Sequence, residues 1–411
     1  MAGDGRGRRL SDALALVDAE EFEAGAAELR ALLPQLTGRT LIDALLALGH
    51  ATLWTEHTEE ALACAERALE LADRTDDMEA RGPALALLSQ VYGQRGEEGD
   101  LGRALEIGDR ALEEWVPGAR ASDRALHESL QALAHYWSGR YESAADLGRR
   151  GGDGATEALA LVGLGRVEEA IQRSDAAIAA GREAGSALNT AYALCCSTAA
   201  LRDVLDLEVA QRRNEEAIEL FRAVPFESGV MQGEMDLLYA NLASGDVERA
   251  ARSWPQLWAR LGEATGWERW LAPGRLSVAN AEIALLQERW EAASEAARGA
   301  IEVAAGIGRE KYDVSARIVL GSAELELGHP TDATKELRQA VEGADRLVHP
   351  PTRWRAYAAL ARASEALGDD EAADDASRTA GAIIDAFSAT LSSEHAERLL
   401  GSPAVEAILG A

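Results

Sequence analysis

The sequence contains little of what would place it in several large classes of protein. It has three cysteines in 411 residues, Cys64, Cys195 and Cys196, and two of these are adjacent. Adjacent cysteines are poorly placed to pair with each other, so we predict no disulfide framework. No apolar run approaches the ~20 residues needed to cross a bilayer, and we expect no signal peptide and no membrane partner. These absences indicate a protein of the reducing cytoplasm.

Positive charge is also scarce. Lys and Arg number 41 against 70 Asp and Glu, which gives a formal net charge of −29. Such a surface repels phosphate, and we therefore expect no direct binding of nucleic acid. Hydrophobic residues at 47% and charged residues at 27% are nevertheless typical of a folded globular chain and too apolar for a disordered one.

The residues that are abundant favour helices. Ala, Leu, Glu and Arg dominate the sequence, and all four have high helix propensity. Proline occurs only 10 times, and we find no run of alternating β-branched residues bounded by turns, as a strand would require. The composition predicts an all-α protein.

A repeated pattern runs along most of the chain. Each unit has a turn, often with glycine, then acidic residues, an alanine, and in most units a second small residue seven positions on. Successive units lie 43, 40, 26, 40, 40, 43, 40 and 40 residues apart, measured between the first alanines: Ala61, Ala104, Ala144, Ala170, Ala210, Ala250, Ala293, Ala333 and Ala373. The short step, through Gly151–Gly154, indicates a truncated unit.

The residue types explain what each unit does. Small side chains seven apart share one face of a helix, where a neighbouring helix can approach closely. Glycine in the turn suits the left-handed conformation that ends a helix. Each unit is therefore a helical hairpin that buries its apolar face only by stacking on its neighbours, and a fixed period favours such a solenoid over a plain helical bundle.

The pattern resembles the tetratricopeptide repeat (TPR), whose usual period is about 34 residues. The residues that carry the resemblance are Leu320, Gly321, Gly328, Ala333, Leu337 and Ala340, and also Leu48, Gly49, Ala61 and Ala68. We predict an all-α, right-handed superhelical solenoid of about nine or ten TPR-like hairpins with C-terminal capping helices.

The period near 40 is longer than that of the ordinary TPR. It resembles the degenerate repeats in the C-terminal region of bacterial signal-transduction ATPase (STAND) regulators and their cyclase-associated relatives. The segments that carry this resemblance are residues 270–275, 309–312, 349–355 and 391–405. It implies a bacterial regulatory protein, with a separate NTPase regulator as one possible partner.

The pattern also predicts how the chain is divided. We expect a disordered start at residues 1–8, N-terminal repeats at 9–150, middle repeats with the truncated unit at 151–265, C-terminal repeats at 266–382 and capping helices at 383–411.

A search for catalytic or ligand-binding motifs finds none that meets the spacing its chemistry needs. There is no Gly-x-x-x-x-Gly-Lys-Ser/Thr run, and the glycine-rich segment 148–154 lacks the lysine and hydroxyl that hold phosphate, so we expect a disordered turn there. The seven histidines form no zinc-ligand pattern. Cys195 and Cys196 lie in an apolar helix, where buried structural cysteines are expected. We predict a protein that is not an enzyme and has no cofactor and no metal.

Tryptophans crowd one region of the sequence. Trp254, Trp258, Trp267, Trp270 and Trp290 all lie within 37 residues. They either pack the long linker between two repeats or form an aromatic anchor surface for a partner, because tryptophan is favoured at binding hot spots.

The TPR register predicts which residues line the concave surface, because the first helix of each hairpin faces inward in that family. Carried over residue by residue, it indicates His50, Trp54, Tyr239, Arg275, Arg355 and Arg362 as partner-binding residues. Arginine on an acidic protein is suited to gripping a partner's carboxylates.

We therefore predict a non-catalytic scaffold, a signalling or regulatory adaptor that binds a segment of another protein in its concave groove. Two alternatives stay open, a ligand- or peptide-sensing module and the detached sensor half of a split ATPase transcription regulator. An enclosed apolar groove would favour the sensor, and an open charged groove would favour the scaffold.

Overall fold

The computed structural model describes residues 2–114, 121–224, 226–264 and 266–410. In these residues it contains 22 α-helices, one short 3-10 helix at Leu33–Gln35, and no β-strand. The α-helices, numbered in chain order, are α1 Ala2–Asp18, α2 Phe22–Leu32, α3 Arg39–Trp54, α4 Thr58–Thr75, α5 Met78–Arg95, α6 Asp100–Glu114, α7 Ala121–Trp137, α8 Tyr141–Gly151, α9 Gly154–Gly163, α10 Val167–Ala184, α11 Ala187–Asp203, α12 Leu207–Ala223, α13 Glu227–Ala243, α14 Val247–Arg260, α15 Glu268–Leu286, α16 Trp290–Ile307, α17 Glu310–Glu326, α18 Pro330–Leu347, α19 Pro350–Leu367, α20 Asp370–Ser388, α21 Ser393–Leu400 and α22 Pro403–Leu409.

Helices α1 to α20 form ten hairpins, as the repeat predicts, and every hairpin turn contains a residue with positive φ. In six of the turns this residue is glycine, and in the other four it is Glu20, Glu56, Leu205 or Glu288. A left-handed residue closes the first helix and reverses the chain within a few residues. Glutamate and leucine are strained there, because their Cβ approaches the following carbonyl.

The predicted small residues lie where hairpins stack. The first alanine of eight units is completely buried: Ala61, Ala104, Ala144, Ala170, Ala210, Ala250, Ala293 and Ala333. Ala373 is only partly buried, because it belongs to α20 in the last hairpin and no eleventh hairpin covers it. Gly321 allows a close approach of the same kind, since a Cβ placed on it would come within 2.4 Å of the Leu337 side chain.

The truncated unit consists of two short helices, α8 with 11 residues and α9 with 10. The glycine-rich segment 148–154 is not the disordered turn that we expected. Gly148 and Gly151 lie within α8, because only glycine permits the approach of α9 and α7: a Cβ on Gly151 would lie 2.5 Å from the backbone nitrogen of Ser129. Residues 2–8, which we expected to be disordered, form the first part of α1.

The solenoid winds so tightly that each superhelical turn contacts the next. Residues in or next to the hairpin turns meet the starts of helices 166 to 173 residues later, in the fifth hairpin further along the chain. Glu20 accepts hydrogen bonds from Leu188 N and from the hydroxyl of Ser186, and Glu56 does the same with Ser228. These contacts join successive superhelical turns and leave no lateral gap between them at these positions.

The C-terminal helices continue this pattern. Ile383, Ile384 and Phe387, which we assigned to a separate capping segment, belong to α20, and α21 and α22 follow it. These two helices pack on the previous superhelical turn: Glu168 accepts hydrogen bonds from Ser392 N at 3.0 Å and pairs with His395 Nδ1 at 2.8 Å. No helix in the described part of the chain is long and apolar enough to span a bilayer.

Candidate binding cavity

The closed superhelix surrounds an interior cavity of about 1190 Å³. The first helices of the hairpins, from α1 to α17, supply most of its wall, and α19 reaches it only at Thr352, with His349 just before it. The wall is apolar over most of its area, but it carries two distinct groups of side chains, one aromatic and one basic.

The aromatic group lies where α1–α3 face α12–α13. The Trp54 ring stacks on Phe22 at 6.4 Å between centroids and meets the edge of Phe226 at 5.1 Å. His50 Nε2 accepts a hydrogen bond from Trp54 Nε1 at 3.1 Å. Burial lowers the pKa of His50, against the attraction of Asp18, so this imidazole is neutral when it accepts that bond. The group forms a rigid apolar surface with a polar edge.

The basic group is centred on Tyr239. The guanidinium groups of Arg202 and Arg275 each lie 5.4 Å from the centre of its ring, a favourable cation–π distance. Arg275 also pairs with Asp236 at 2.6 Å and donates to Gln232 at 3.2 Å, and Arg202 lies 3.8 Å from the same Asp236 carboxylate. The single carboxylate of Asp236 therefore interacts with two arginines.

Lys311 extends this basic group without a carboxylate of its own. Its ammonium lies 5.0 Å from the ring of Tyr312 and 5.8 Å from that of Tyr136. Burial lowers the pKa of Lys311 well below its usual value, and the charges of Arg309, Arg275 and Arg202 lower it further, against the opposing charge of Asp236. The buried Tyr312 hydroxyl has no hydrogen-bond partner in the structure.

The two thiols on the wall are held in their protonated form. Cys195 and Cys196 line the cavity as free thiols, and burial raises the pKa of both well above the usual value. A thiol held in its protonated form is a poor nucleophile. The described residues contain no group of three or more His, Cys, Asp or Glu side chains that could hold a metal ion.

Four of the six predicted partner-binding residues line the cavity: His50, Trp54, Tyr239 and Arg275. The other two do not line it. Arg355 is exposed on α19, and Arg362 is exposed and pairs with Glu326 at 2.7 Å. Arg355 still acts electrostatically on one cavity-lining residue. Burial raises the pKa of Glu282, and the positive charge of Arg355 opposes that rise.

Sequence reasoning missed Arg202, Asp236, Lys311 and Tyr312. One signal could have found Lys311: the chain contains only two lysines, Lys311 and Lys335, among its 41 basic residues. Lysine differs from arginine in being a compact point charge whose pKa shifts readily when buried. The rarity of lysine selects two residues, of which Lys311 lines the cavity and Lys335 is exposed.

In the tryptophan-rich region Trp267 is buried, Trp254, Trp270 and Trp290 are partly buried, and Trp258 is exposed. Trp254 donates to Leu276 O at 2.6 Å, Trp267 is buried at the cavity wall, and Trp270 meets Trp137 edge to face at 6.1 Å. Trp258 stacks on Trp254 and is 40% exposed.

Comparison with known proteins identifies the fold. No family model matches the sequence, and no curated protein matches it. Solved structures do match, and they are TPR-like helical-repeat proteins; the chain has the fold of that class. The more specific resemblance to STAND regulators is not confirmed.

Three solved structures illustrate the match. The Rap protein complexed with competence and sporulation factor aligns with a TM-score of 0.62 at 13% identity, over 85% of this chain and 99% of that one. NprR in complex with its cognate peptide NprX aligns with a TM-score of 0.54 at 10% identity, over 90% and 99%. The Cut9–Hcn1 hetero-tetramer of APC/C aligns with a TM-score of 0.51 at 12% identity, over 100% and 85%.

Proposed function

We propose that this protein is a non-catalytic regulatory module that binds a short peptide inside its superhelix. The observation that carries the proposal is the interior cavity of about 1190 Å³, enclosed by contacts between successive superhelical turns. The cavity exceeds the ~300–1,000 Å³ of most small-molecule pockets. A peptide of five to eight residues, about 17–28 Å long when extended, is a better match.

The enclosure favours a short ligand over a long partner segment. The contact of Glu56 with Ser228 and that of Tyr136 with Arg309 lie in the wall, so a ligand enters along the superhelical axis rather than from the side. An open groove would suit the scaffold that the sequence favours, whereas a closed one suits the peptide-sensing alternative. The fold relative NprR, crystallised with its cognate peptide, supports the same choice by analogy.

The two groups of wall residues have complementary tasks in this proposal. The ring of Trp54, backed by His50, gives an apolar side chain a flat surface to pack on. In the basic group, Arg275 provides a positive charge that is held in place over the ring of Tyr239. We expect Arg355 and Arg362 to contribute nothing, because they lie outside the cavity.

A randomised synthetic peptide library tests the proposal. The protein is incubated with peptides of five to eight residues, separated by size exclusion, and the retained peptides are identified by mass spectrometry. Each retained peptide is then resynthesised and titrated while tryptophan emission is recorded, since Trp54, Trp137 and Trp267 all line the cavity. We expect retention of a defined set of peptides and a saturable change in emission.

Two matched variants locate the binding site. Ala199→Trp places a bulky side chain in the cavity from α11, and Ala386→Trp adds the same side chain on the exposed face of α20. We expect the first to abolish retention and the second to leave it unchanged, with both proteins folded by circular dichroism. The same titration on Arg355→Ala with Arg362→Ala should give the affinity of the unaltered protein.

The proposal fails if no peptide is retained, or if Ala199→Trp retains peptides as well as the unaltered protein does. A separate NTPase regulator as the downstream partner stays a prediction. A pull-down from the native host, with and without a retained peptide, tests it.

A further inference from the structure

One part of the cavity wall, around Tyr239 and Tyr312, has more basic than acidic side chains, although the protein as a whole is strongly acidic. The basic cluster, defined as Arg202, Arg275, Arg309 and Lys311, lies around Tyr239 and Tyr312 in a chain of net charge −29. Asp236 pairs with two of its members, and Glu282 is the other carboxylate near them. Positive charge concentrated in a low-dielectric cavity attracts an anion far more strongly than the same charge on the surface.

Several buried polar atoms in and beside the basic cluster have no hydrogen-bond partner among the described residues. The Tyr312 hydroxyl is buried and unbonded, and so are Nε and Nη2 of Arg309. Lys311 contacts two aromatic rings and forms no ion pair with the described residues. Buried donors left without acceptors are costly, and a site that contains several of them is complementary to a ligand that accepts hydrogen bonds.

Geometry narrows the position of the ligand group. Both Lys311 and Tyr312 line the cavity, whereas Arg309 lies behind them and donates to the carbonyl oxygen of Tyr136 at 3.4 Å. The Lys311 ammonium lies 5.0 Å from the centre of the Tyr312 ring, so a ligand group beside the ammonium also lies beside that ring, with Arg309 and Arg275 adding their charge from further away.

We propose that Lys311 and Tyr312, supported by the other members of the basic cluster, form a subsite for a carboxylate of the bound peptide. This inference rests on the proposed function and names the chemical group that the peptide presents. The carboxylate either terminates the peptide or belongs to an Asp or Glu side chain, and the interaction with Lys311 is the same in both cases. An ionised ligand group gives a charge-assisted hydrogen bond of the stronger kind.

The experiment uses the peptide library in two forms, with free C-terminal carboxylates and with C-terminal amides. Each form is presented to the unaltered protein and to three variants: Lys311→Met, Lys311→Arg and, as the matched control on the exposed face of α18, Lys335→Met. We expect Lys311→Met to bind the resynthesised acid peptide at least about 10-fold more weakly. Lys311→Arg should recover part of the affinity, and Lys335→Met should change it by less than about twofold.

The two library forms distinguish the source of the carboxylate. Loss of binding on amidation assigns the subsite to the peptide C-terminus. Retention of amidated peptides enriched in Asp or Glu assigns it to a side chain. Lys311→Met should remove the preference in either case.

Two results would overturn the subsite. One is retention of amidated peptides without enrichment of acidic residues, and the other is unchanged affinity in a folded Lys311→Met protein. Both leave the proposed function intact, because peptides are still retained. Retention of no peptide from either library overturns the proposed function and this inference together.

Discussion

Glu56 caps helix α13 through Ser228, a residue 172 positions further along the chain. Its carboxylate accepts hydrogen bonds from the backbone N–H of Ser228 at 2.6 Å and from the Ser228 hydroxyl at 2.8 Å. The N-cap residue of that helix, Phe226, offers no side-chain cap. Glu56 itself has a φ of 63°, so the chain accepts a strained residue at a hairpin turn where six other hairpins have glycine. The contact between superhelical turns accounts for the strain.

Replacing the strained glutamates by glycine tests this explanation. Glu288 also has positive φ, at 57°, but it is exposed and nothing in the structure explains its presence there. We expect Glu288→Gly to raise the free energy of unfolding by about 0.5–1 kcal/mol, because it relieves strain and removes no contact. Glu56→Gly relieves the same strain but removes charged hydrogen bonds that are worth about 1.5–3 kcal/mol, so it should destabilise.

Urea denaturation of both variants provides the measurement. Equal stabilisation by the two substitutions would show that the contact between Glu56 and Ser228 contributes nothing to holding the superhelical turns together.

A second prediction concerns pH. Glu268 is buried near the same contact, and burial raises its pKa from 4.5 to about 7, against the opposing effect of Ser228. The folded protein therefore keeps this proton up to about pH 7, whereas the unfolded chain loses it near pH 4.5. Folding stability falls as the pH rises through this interval, by up to about 3 kcal/mol.

Glu268→Gln removes that dependence, because glutamine does not ionise. We expect the variant to melt higher than the unaltered protein at pH 8 and to lose this advantage at pH 4.5. The exposed Glu295→Gln serves as the control and should shift the melting temperature little at either pH. If the melting temperatures of Glu268→Gln and the unaltered protein differ by the same amount at both pH values, the raised pKa of Glu268 is contradicted.

The third prediction concerns the C-terminal helices. Leu399 in α21 is completely buried in a cluster that also contains Leu161 and Leu201 from the previous superhelical turn. Leu399→Ala should lower the free energy of unfolding by about 2–5 kcal/mol. Leu409 in α22 is 42% exposed, and Leu409→Ala should change it by less than about 0.5 kcal/mol. If both substitutions lower the free energy of unfolding by similar amounts, α21 does not hold the C-terminal helices against the previous superhelical turn.

The repeat made the hairpins predictable, because their packing is local. Alanines seven apart specify a close helix pair, and the structure buries eight of the nine first alanines completely. Closure of the superhelix was not predictable in the same way. Glu20 and Glu56 look like ordinary surface acids in the sequence, and their partners lie 166 to 172 residues away, where no local pattern points to them.

The candidate site shows the same limit. Helix register placed His50, Trp54, Tyr239 and Arg275 on the concave side, and all four line the cavity. The same register indicated Arg355, but the cavity reaches α19 only near Thr352. Register specifies the face of a helix and not how far along it a cavity extends. Lys311 was missed because its unusual environment arises from four different helices.

The central claim, that a peptide occupies the cavity beside the basic cluster, is tested most directly by acylating the two lysines. Lys311 faces the cavity and Lys335 is exposed on the outside, so one molecule contains both the probe and its control. Burial and the neighbouring arginines lower the pKa of Lys311, which favours acylation of its amine. The protein is treated with an acetylating reagent with and without a retained peptide, and each lysine is quantified by mass spectrometry. At about 10 Kd of peptide, acylation of Lys311 should fall about 10-fold while that of Lys335 stays constant. Unchanged acylation of Lys311 with the peptide bound would place the binding site elsewhere and contradict the account.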